Sequence, residues 1–245
     1  MKTLLLFVLT FFISTNLFAK NPIDSPTFED LIKQIIGNQK YIFDDENIQI
    51  KVPNFADNPV QVPIYVNASK IKDAQRMIIF ADLNPIPRIV DMQTTKILPI
   101  ISTNIKVAQE TPLRALILDS KGIWHIGSKN IRSNGGGCDV SSQASTNSDF
   151  AKFLGKTKGK VFEKKDKNRI KASIFHPMET GLIFGNVEFY INTITIKNDK
   201  EILSTIKTSS AISENPRFIF ETQDNSKSYK MNFLDNDGND FELEL

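Results

Sequence analysis

Arg114-Ala115-Leu116-Ile117-Leu118-Asp119-Ser120-Lys121-Gly122-Ile123-Trp124-His125-Ile126 reads as one unit, two apolar runs flanking a four-residue polar turn that ends in glycine. Short runs of this kind joined by an Asp/Ser/Gly segment specify a β-hairpin. Upstream, Ile48, Ile50 and Val52 alternate with polar residues, as do Val60, Val62, Ile64 and Val66. Pro63 interrupts the second set, and its missing N–H favours an edge strand or a bulge there. Downstream, Ile170 to Phe175, Val187 to Ile196 and Arg217 to Thr222 have strand character. Ser228 to Leu234 and Phe241 to Leu245 flank a second hairpin loop, Asp235-Asn236-Asp237-Gly238-Asn239. The exception is Pro26 to Gly37, where Phe28, Leu31, Ile32, Ile35 and Ile36 fall at helical spacing and Gly37 is placed to stop the helix. The pattern predicts an all-β chain of two antiparallel β-sandwich domains in tandem, with a short N-terminal helix.

The first residues specify export. Lys2 precedes an apolar run from Leu4 to Ile13 broken by Thr10, and Ala19 offers a small residue for cleavage. Residues 1–19 therefore read as a secretory signal peptide. The run is shorter than the roughly 20 residues a membrane span needs. No later segment has that length and apolarity, so the expected location is the periplasm. The formal charge of +2 implies no strong overall field, and neither nucleic acid nor a membrane is an expected partner.

The chain has one cysteine, in Ser133-Asn134-Gly135-Gly136-Gly137-Cys138-Asp139-Val140-Ser141-Ser142. An exported scaffold stapled by disulfides carries an even set, and with one cysteine no disulfide can form within the chain. Three glycines before it and polar residues after it predict a flexible, solvated segment presenting a thiol. Asp139 disfavours the thiolate, and no basic residue or helix N-terminus lies close in sequence to activate it. Exposure without activation points to a thiol that carries cargo rather than one that catalyses. An exposed thiol of this kind is also open to a Cys138–Cys138 disulfide dimer.

The low-complexity character continues to about Asn168, so residues 133–168 read as a cysteine arm and a flexible Gly/Ser/Lys-rich linker. It separates residues 20–132 from residues 169–245. Within it, Phe150, Phe153 and Leu154 are spaced for one helical turn. From Lys152 to Lys171 there are nine Lys or Arg against Glu163 and Asp166. Such a run is either a solvated linker or an attractor for an anionic cargo or acidic partner.

Conventional catalytic signals are absent from the sequence, and no cofactor or metal is expected. His125 follows Trp124 in the hairpin and reads as structural. His176 begins His176-Pro177-Met178-Glu179-Thr180-Gly181. Its proline and glycine mark a turn, and His176 with Glu179 are too few donors for a metal. Asp235 to Gly238 reads as a turn rather than a calcium loop.

Taken together, these segments resemble the sulfur-oxidation carrier SoxYZ with its two subunits joined in one chain. The first block is similar to SoxY in Val52-Pro53-Asn54-Phe55-Ala56-Asp57-Asn58, Val62-Pro63-Ile64-Tyr65-Val66, Asn84-Pro85-Ile86-Pro87 and the closing glycine–cysteine arm. The second is similar to SoxZ in His176 to Gly181, Ile212-Ser213-Glu214-Asn215-Pro216 and Asp235 to Gly238. The resemblance implies two immunoglobulin-like sandwiches that pair with each other. It implies a non-catalytic thiol carrier in which Cys138 covalently holds a sulfur intermediate, thiosulfate-derived or similar, on a swinging arm hinged at Gly135, Gly136 and Gly137. A domain-interface corner is then expected at His176, Pro177, Met178, Glu179 and Gly181. The implied partners are a c-type cytochrome sulfur transferase and a thiol hydrolase.

The family arm is Gly-Gly-Cys-Gly-Gly and ends its chain, whereas here Asp139 and Val140 follow and the chain continues. A tethered arm has to enter a partner doubled over. Fused chains of this type also resemble a group associated with quinoprotein dehydrogenases, which adds a second reading as a non-covalent adaptor for a quinoprotein dehydrogenase and its cytochrome c. A thiol enzyme assisted by His176 is a third.

Overall fold

The structure, a computed structural model, describes residues 20–138, 140 and 150–245. The signal-peptide reading of residues 1–19 lies outside the described residues. One helix, α1 (Phe28–Ile36), opens the fold and is followed by β1 (Tyr41–Phe43), β2 (Gln49–Lys51), β3 (Val62–Asn67), β4 (Arg76–Ala81), β5 (Arg88–Gln93), β6 (Ile100–Ile105), β7 (Thr111–Leu118) and β8 (Trp124–Ile131). A single turn, α2 (Phe150–Phe153), leads into β9 (Thr157–Lys164), β10 (Lys167–Ile174), β11 (Ile191–Lys197), β12 (Ile202–Thr208), β13 (Arg217–Thr222), β14 (Lys230–Asp235) and β15 (Asp240–Glu244). Chain-long β-structure with one helix is what the alternating runs predict.

The strands form two sheets, and each half of the chain contributes to both. The nine-stranded sheet runs β1-β8-β7-β4-β5-β12-β11-β14-β15, the six-stranded one β2-β3-β6-β13-β10-β9. The two sandwiches therefore join edge to edge. Antiparallel β5 and β12 pair through Met92 and Ile206, and β6 and β13 through Ser102 and Ile219. All named pairings are antiparallel except the parallel β1–β8 pair at one edge. Joining in this way leaves no free strand edge between the halves. Buried side chains of both, among them Ile79, Met92 and Ile101 from the first and Ile194, Ile206 and Phe220 from the second, make one continuous core.

The hairpin that opens the reading is β7–β8, with Leu118 opposite Trp124. Its outer surface is covered by α1. Phe28, Ile32 and Ile36 pack there on Ile78, Phe80, Leu116 and Trp124 as a second cluster. Gly37 ends the helix at φ +66°, a left-handed conformation that favours glycine. Pro63 is tolerated because β2 pairs with β3 only at Tyr65, Val66 and Asn67, so residue 63 has no neighbour on that side. His125 is a structural residue here, with Nδ1 2.7 Å from Asp44 and Nε2 3.4 Å from Asp119.

The linker reading of residues 133–168 needs correction. Phe150 and Phe153 do form a helical turn, packed on Phe175 with ring centroids 6.1 and 5.8 Å apart. Residues 157–164, however, are a full strand, paired along its length with β10. As the outermost strand of its sheet β9 exposes most residues of both faces, so it needs no hydrophobic alternation. The lysines that gave the stretch its linker character are edge-strand residues of the kind that discourage intermolecular pairing. The second half thus begins near residue 157, and the strand read as Val187 to Ile196 starts at Ile191.

Candidate functional site

The cysteine segment leaves β8 as a tied strand rather than a free leash. Ala56 N–H donates to Arg132 O at 2.8 Å, and Ala56 forms a parallel bridge with Ser133. This gives Ala56 of the Val52 to Asn58 motif its role of holding the root of the arm. Gly136 and Gly137 then donate their backbone N–H groups to Ala108 O and Val107 O, each at 2.9 Å. Residues 106–108 are fixed in turn by Asn84, whose Nδ2 donates to Lys106 O at 2.8 Å and whose Oδ1 accepts from Ala108 N at 3.0 Å. The Asn84-Pro85-Ile86-Pro87 motif therefore supports the seat of the arm from below.

Cys138 itself is completely buried. This corrects the expectation of a solvated thiol. Glycine here serves close approach rather than conformational freedom. A Cβ at position 137 would lie 2.1 Å from Pro59 O and 2.7 Å from Val107 O, and one at 135, where φ is +82°, would lie 2.3 Å from Ala108 O. Only residues without side chains bring the backbone close enough for the two hydrogen bonds. Val140, two residues on, is already half exposed.

The second half closes over the thiol. Thr180 Oγ1 donates to Cys138 O at 3.1 Å. Thr180 belongs to the His176 to Gly181 corner, which Asn215 holds through His176 N–H to Asn215 Oδ1 at 3.2 Å and Asn215 N–H to His176 O at 2.8 Å. Glu179 exchanges backbone hydrogen bonds with Phe189. Met178 sits at φ +52° and Gly181 at +69°, which folds the corner tightly. His176, Pro177, Met178 and Glu179 are buried, and Gly181 is exposed. The structure brings this corner and the cysteine arm together, one from each half.

Lys106 is the residue that sequence reasoning missed. It follows β6 directly and is buried. Its Nζ reaches into the second half, donating to Met178 O and, at 3.0 Å, to Ser210 O. Burial pushes its pKa from 10.5 down to about 8, opposed by the charges of Cys138, Glu179 and Glu214. A cation thus lies in the electrostatic field of the thiol although none is near it in sequence. One signal existed, since a lysine between Ile105 and Val107 at the end of an apolar strand is out of place.

His176 is directed elsewhere. Its Nδ1 accepts from Met178 N–H at 3.2 Å, and its Nε2 lies 3.6 Å from Asp235 Oδ2. Burial drives its pKa down to about 4 against the pull of Asp235, so the ring is neutral at ordinary pH. The Asp235 carboxylate accepts from the N–H groups of Asp237 and Asn239 at 3.0 and 2.8 Å and ties its own hairpin loop, as a turn residue does.

Comparison with known proteins agrees with this division of labour. The family model of sulfur oxidation protein SoxY matches residues 32–138 and that of sulphur oxidation protein SoxZ matches residues 158–245. No curated protein matches the chain. Among solved structures, the sulfur carrier protein SoxY from Chlorobium limicola f thiosulfatophilum is similar at 23% identity and a TM-score of 0.40, covering 44% of this chain and 96% of its own. A β-glycosidase from Bacteroides vulgatus aligns at 6% identity and a TM-score of 0.23 over 81% of this chain and 24% of its own. The SoxY match ends on Cys138 and the SoxZ match takes up the strands that close over it, so the chain belongs to the fused SoxYZ-like proteins, a SoxY domain followed by a SoxZ domain.

Proposed function

We propose that this protein is an exported sulfur-oxidation carrier that holds a sulfur intermediate covalently on Cys138 and presents it to partner enzymes. The observation that carries the reading is the coincidence of Cys138 with the end of the SoxY match, at the tip of a glycine segment held to the protein by backbone hydrogen bonds. Such bonds exchange with water at a net cost of about 1 kcal/mol each, so the arm can leave its seat without disturbing either sheet. In the seat the thiol is shielded; out of it the thiol is available. The Lys106 ammonium beside it favours a negative charge on sulfur or on an anionic adduct.

With thiosulfate as cargo, the Cys138 thiolate forms an S–S bond to the outer sulfur and two electrons leave, so a c-type haem partner has to accept them. Hydrolysis of the resulting adduct by a partner hydrolase consumes one water, releases sulfate and two protons, and leaves a persulfide on Cys138. Neither step asks this chain for an acid or a base, which fits a non-catalytic carrier.

Intact mass spectrometry of the protein from the periplasm of its native host, before and after reductant, tests the reading. Reductant-labile additions in sulfur or thiosulfate increments, absent from Cys138→Ser, are expected. An unmodified thiol in cells actively oxidising sulfur overturns it. The full burial of Cys138 favours one second reading, a non-covalent adaptor of a quinoprotein dehydrogenase and its cytochrome c, in which partner binding is the same in Cys138→Ser.

A further inference from the structure

Among the described residues, the hydrogen bonds that seat the arm come from Val107, Ala108 and Thr180, and the basic run between Lys152 and Lys171 is given a definite shape by the sheet. Along β9 and β10, Lys158 stands opposite Ser173, Lys160 opposite Lys171, Phe162 opposite Arg169, and Lys164 opposite Lys167. These are the outward positions of β10, since Ile170, Ala172 and Ile174 between them are buried. Two rows continue across the sheet. Ser173 faces Arg217, and Lys171 faces Ile219, which faces Ser102, which faces Tyr65, which faces Lys51. The outer face of the six-stranded sheet therefore carries one field of positive charge.

Aromatic rings lie within that field under the ammonium groups. Lys160 Nζ and Lys171 Nζ are 5.4 and 5.0 Å from the centre of the exposed Phe162 ring, and Lys51 Nζ is 5.6 Å from that of Tyr65. Glu221 is covered by Lys167 and Arg169. The acidic neighbours in sequence lie off the face, Glu163 opposite the buried Asn168 and Asp166 in the β9–β10 turn. With a formal charge of only +2 for the whole chain, this is segregation of charge rather than general basicity. Glu242 and Glu244 lie on β15 of the other sheet, which packs beside β9 at Thr157, and there both pair with Lys230.

The face also has a position. β9 begins beside the corner that closes over the thiol: Phe175 N–H donates to Lys156 O, and His176 comes next. Lys158 and Arg217 are thus the end of the field nearest to the seat of Cys138. Strand spacings of about 4.8 Å and residue repeats of about 6.8 Å make the field roughly 24 by 20 Å. That is the footprint of a transient protein encounter rather than of a permanent interface.

We propose that this face is the docking surface for an acidic partner protein, the one that exchanges cargo with Cys138. The identity of the partner rests on the carrier reading; the surface does not. Aromatic and aliphatic patches at Phe162, Ile219 and Tyr65 with surrounding cations suit a folded protein surface of opposite charge. Steering by such a field raises the rate of encounter and fades with salt.

The test replaces Lys158, Lys160 and Lys171 together by Glu, with reversal of Lys72 and Lys121, on other surfaces, as control. Thiosulfate loading of Cys138 is followed by intact mass in periplasmic extract of the native host, at low and at high salt. The triple variant is expected to load about tenfold more slowly at low salt, with the difference closing at high salt and the control unchanged. Equal rates for variant and wild type overturn the proposal. A second arm places a photo-crosslinking amino acid at position 160 and identifies what it captures. Salt-sensitive capture of an acidic protein that also exchanges cargo supports the surface. Capture of a second copy of this chain, or retention on anionic vesicles or duplex DNA in place of protein, overturns it. If wild-type Cys138 never loads, the carrier reading fails, and capture at position 160 of an acidic protein that binds Cys138→Ser equally well still decides the surface.

Discussion

The hydroxyl of Thr180 donates to the carbonyl of Cys138 at 3.1 Å, a bond between a SoxZ side chain and the backbone of the SoxY thiol residue. It makes the second half a reporter of whether the arm is seated. Thr180→Val removes it with little change of volume. Loss of one such bond, worth about 1 kcal/mol, should raise the rate of Cys138 alkylation by iodoacetamide roughly fivefold, with the melting temperature nearly unchanged. An unchanged alkylation rate would mean that Thr180 does not hold the arm.

Gly137→Ala acts more strongly. Its new methyl would lie 2.1 Å from Pro59 O, so the arm has to lift and surrender the Gly136 and Gly137 hydrogen bonds together. At about 1 kcal/mol for each bond, alkylation should be at least tenfold faster than in wild type. Circular dichroism should show the same β-content, because neither sheet is touched.

Lys106 carries a pH signature. Its folded pKa of about 8 lies below the reference value of 10.5, so between those limits the unfolded chain holds a proton that the folded chain has lost. Stability from this group therefore rises with pH through that window, by up to about 1.4 kcal/mol per unit. Compared in a Cys138→Ser background, the protein should gain stability over its Lys106→Met variant from pH 8 to pH 10. Tyrosine titrations, common to both, cancel in the difference. Parallel denaturation curves at the two pH values would refute it.

His176 gives the acid limb. Its pKa falls from 6.5 to about 4 on burial, so below pH 6.5 the unfolded state takes up a proton that the folded state refuses. Stability is present above 6.5 and is lost as pH falls towards 4. His176→Asn, which keeps an acceptor for Met178 N–H, should flatten the urea midpoint over that range; a slope equal to wild type would assign the acid loss to other groups.

Arg114 tests the anchoring of the N-terminal segment. It is fully buried, paired with Asp82 at 2.9 Å, and also donates to Asn21 Oδ1 and Ile23 O. Arg114→Met leaves the Asp82 carboxylate buried without its cation, a change that costs about 3–5 kcal/mol. Denaturant unfolding should show that loss, partly recovered in Arg114→Met/Asp82→Asn.

Strands β2, β3, β7, β8, β10, β11, β13, β14 and β15 were legible in the sequence, and so were the hairpin around Asp119 to Gly122 and the helix ending at Gly37; the interior strands β4, β5, β6 and β12 were not singled out. The edge strand β9 was not, because with both faces in solvent it has no apolar period. Nor was the joining of the halves through Met92–Ile206 and Ser102–Ile219, since an interior pairing between distant segments leaves no local mark. At the site, the motif residues Ala56, Asn84 and Asn215 could be singled out but not given work. Their work is to position backbone, which depends on what lies opposite in space. Composition also misjudged the glycines, whose lack of a side chain serves mobility in one setting and intimate contact in another.

The way the arm is fastened sets a stroke length for the thiol. Downstream, α2 and β9 occupy part of the segment that reads as linker, and residues 139–149 alone separate Cys138 from the packed Phe150. Upstream, if the glycines peel away, the first fastening is Ser133 against Ala56. Five residues beyond it reach about 17 Å at full extension. On the carrier reading proposed above, the sulfur would therefore travel as the crest of a short, two-legged loop, and an enzyme that meets it would have to offer an open slot close to the surface of this protein, wide enough for both legs.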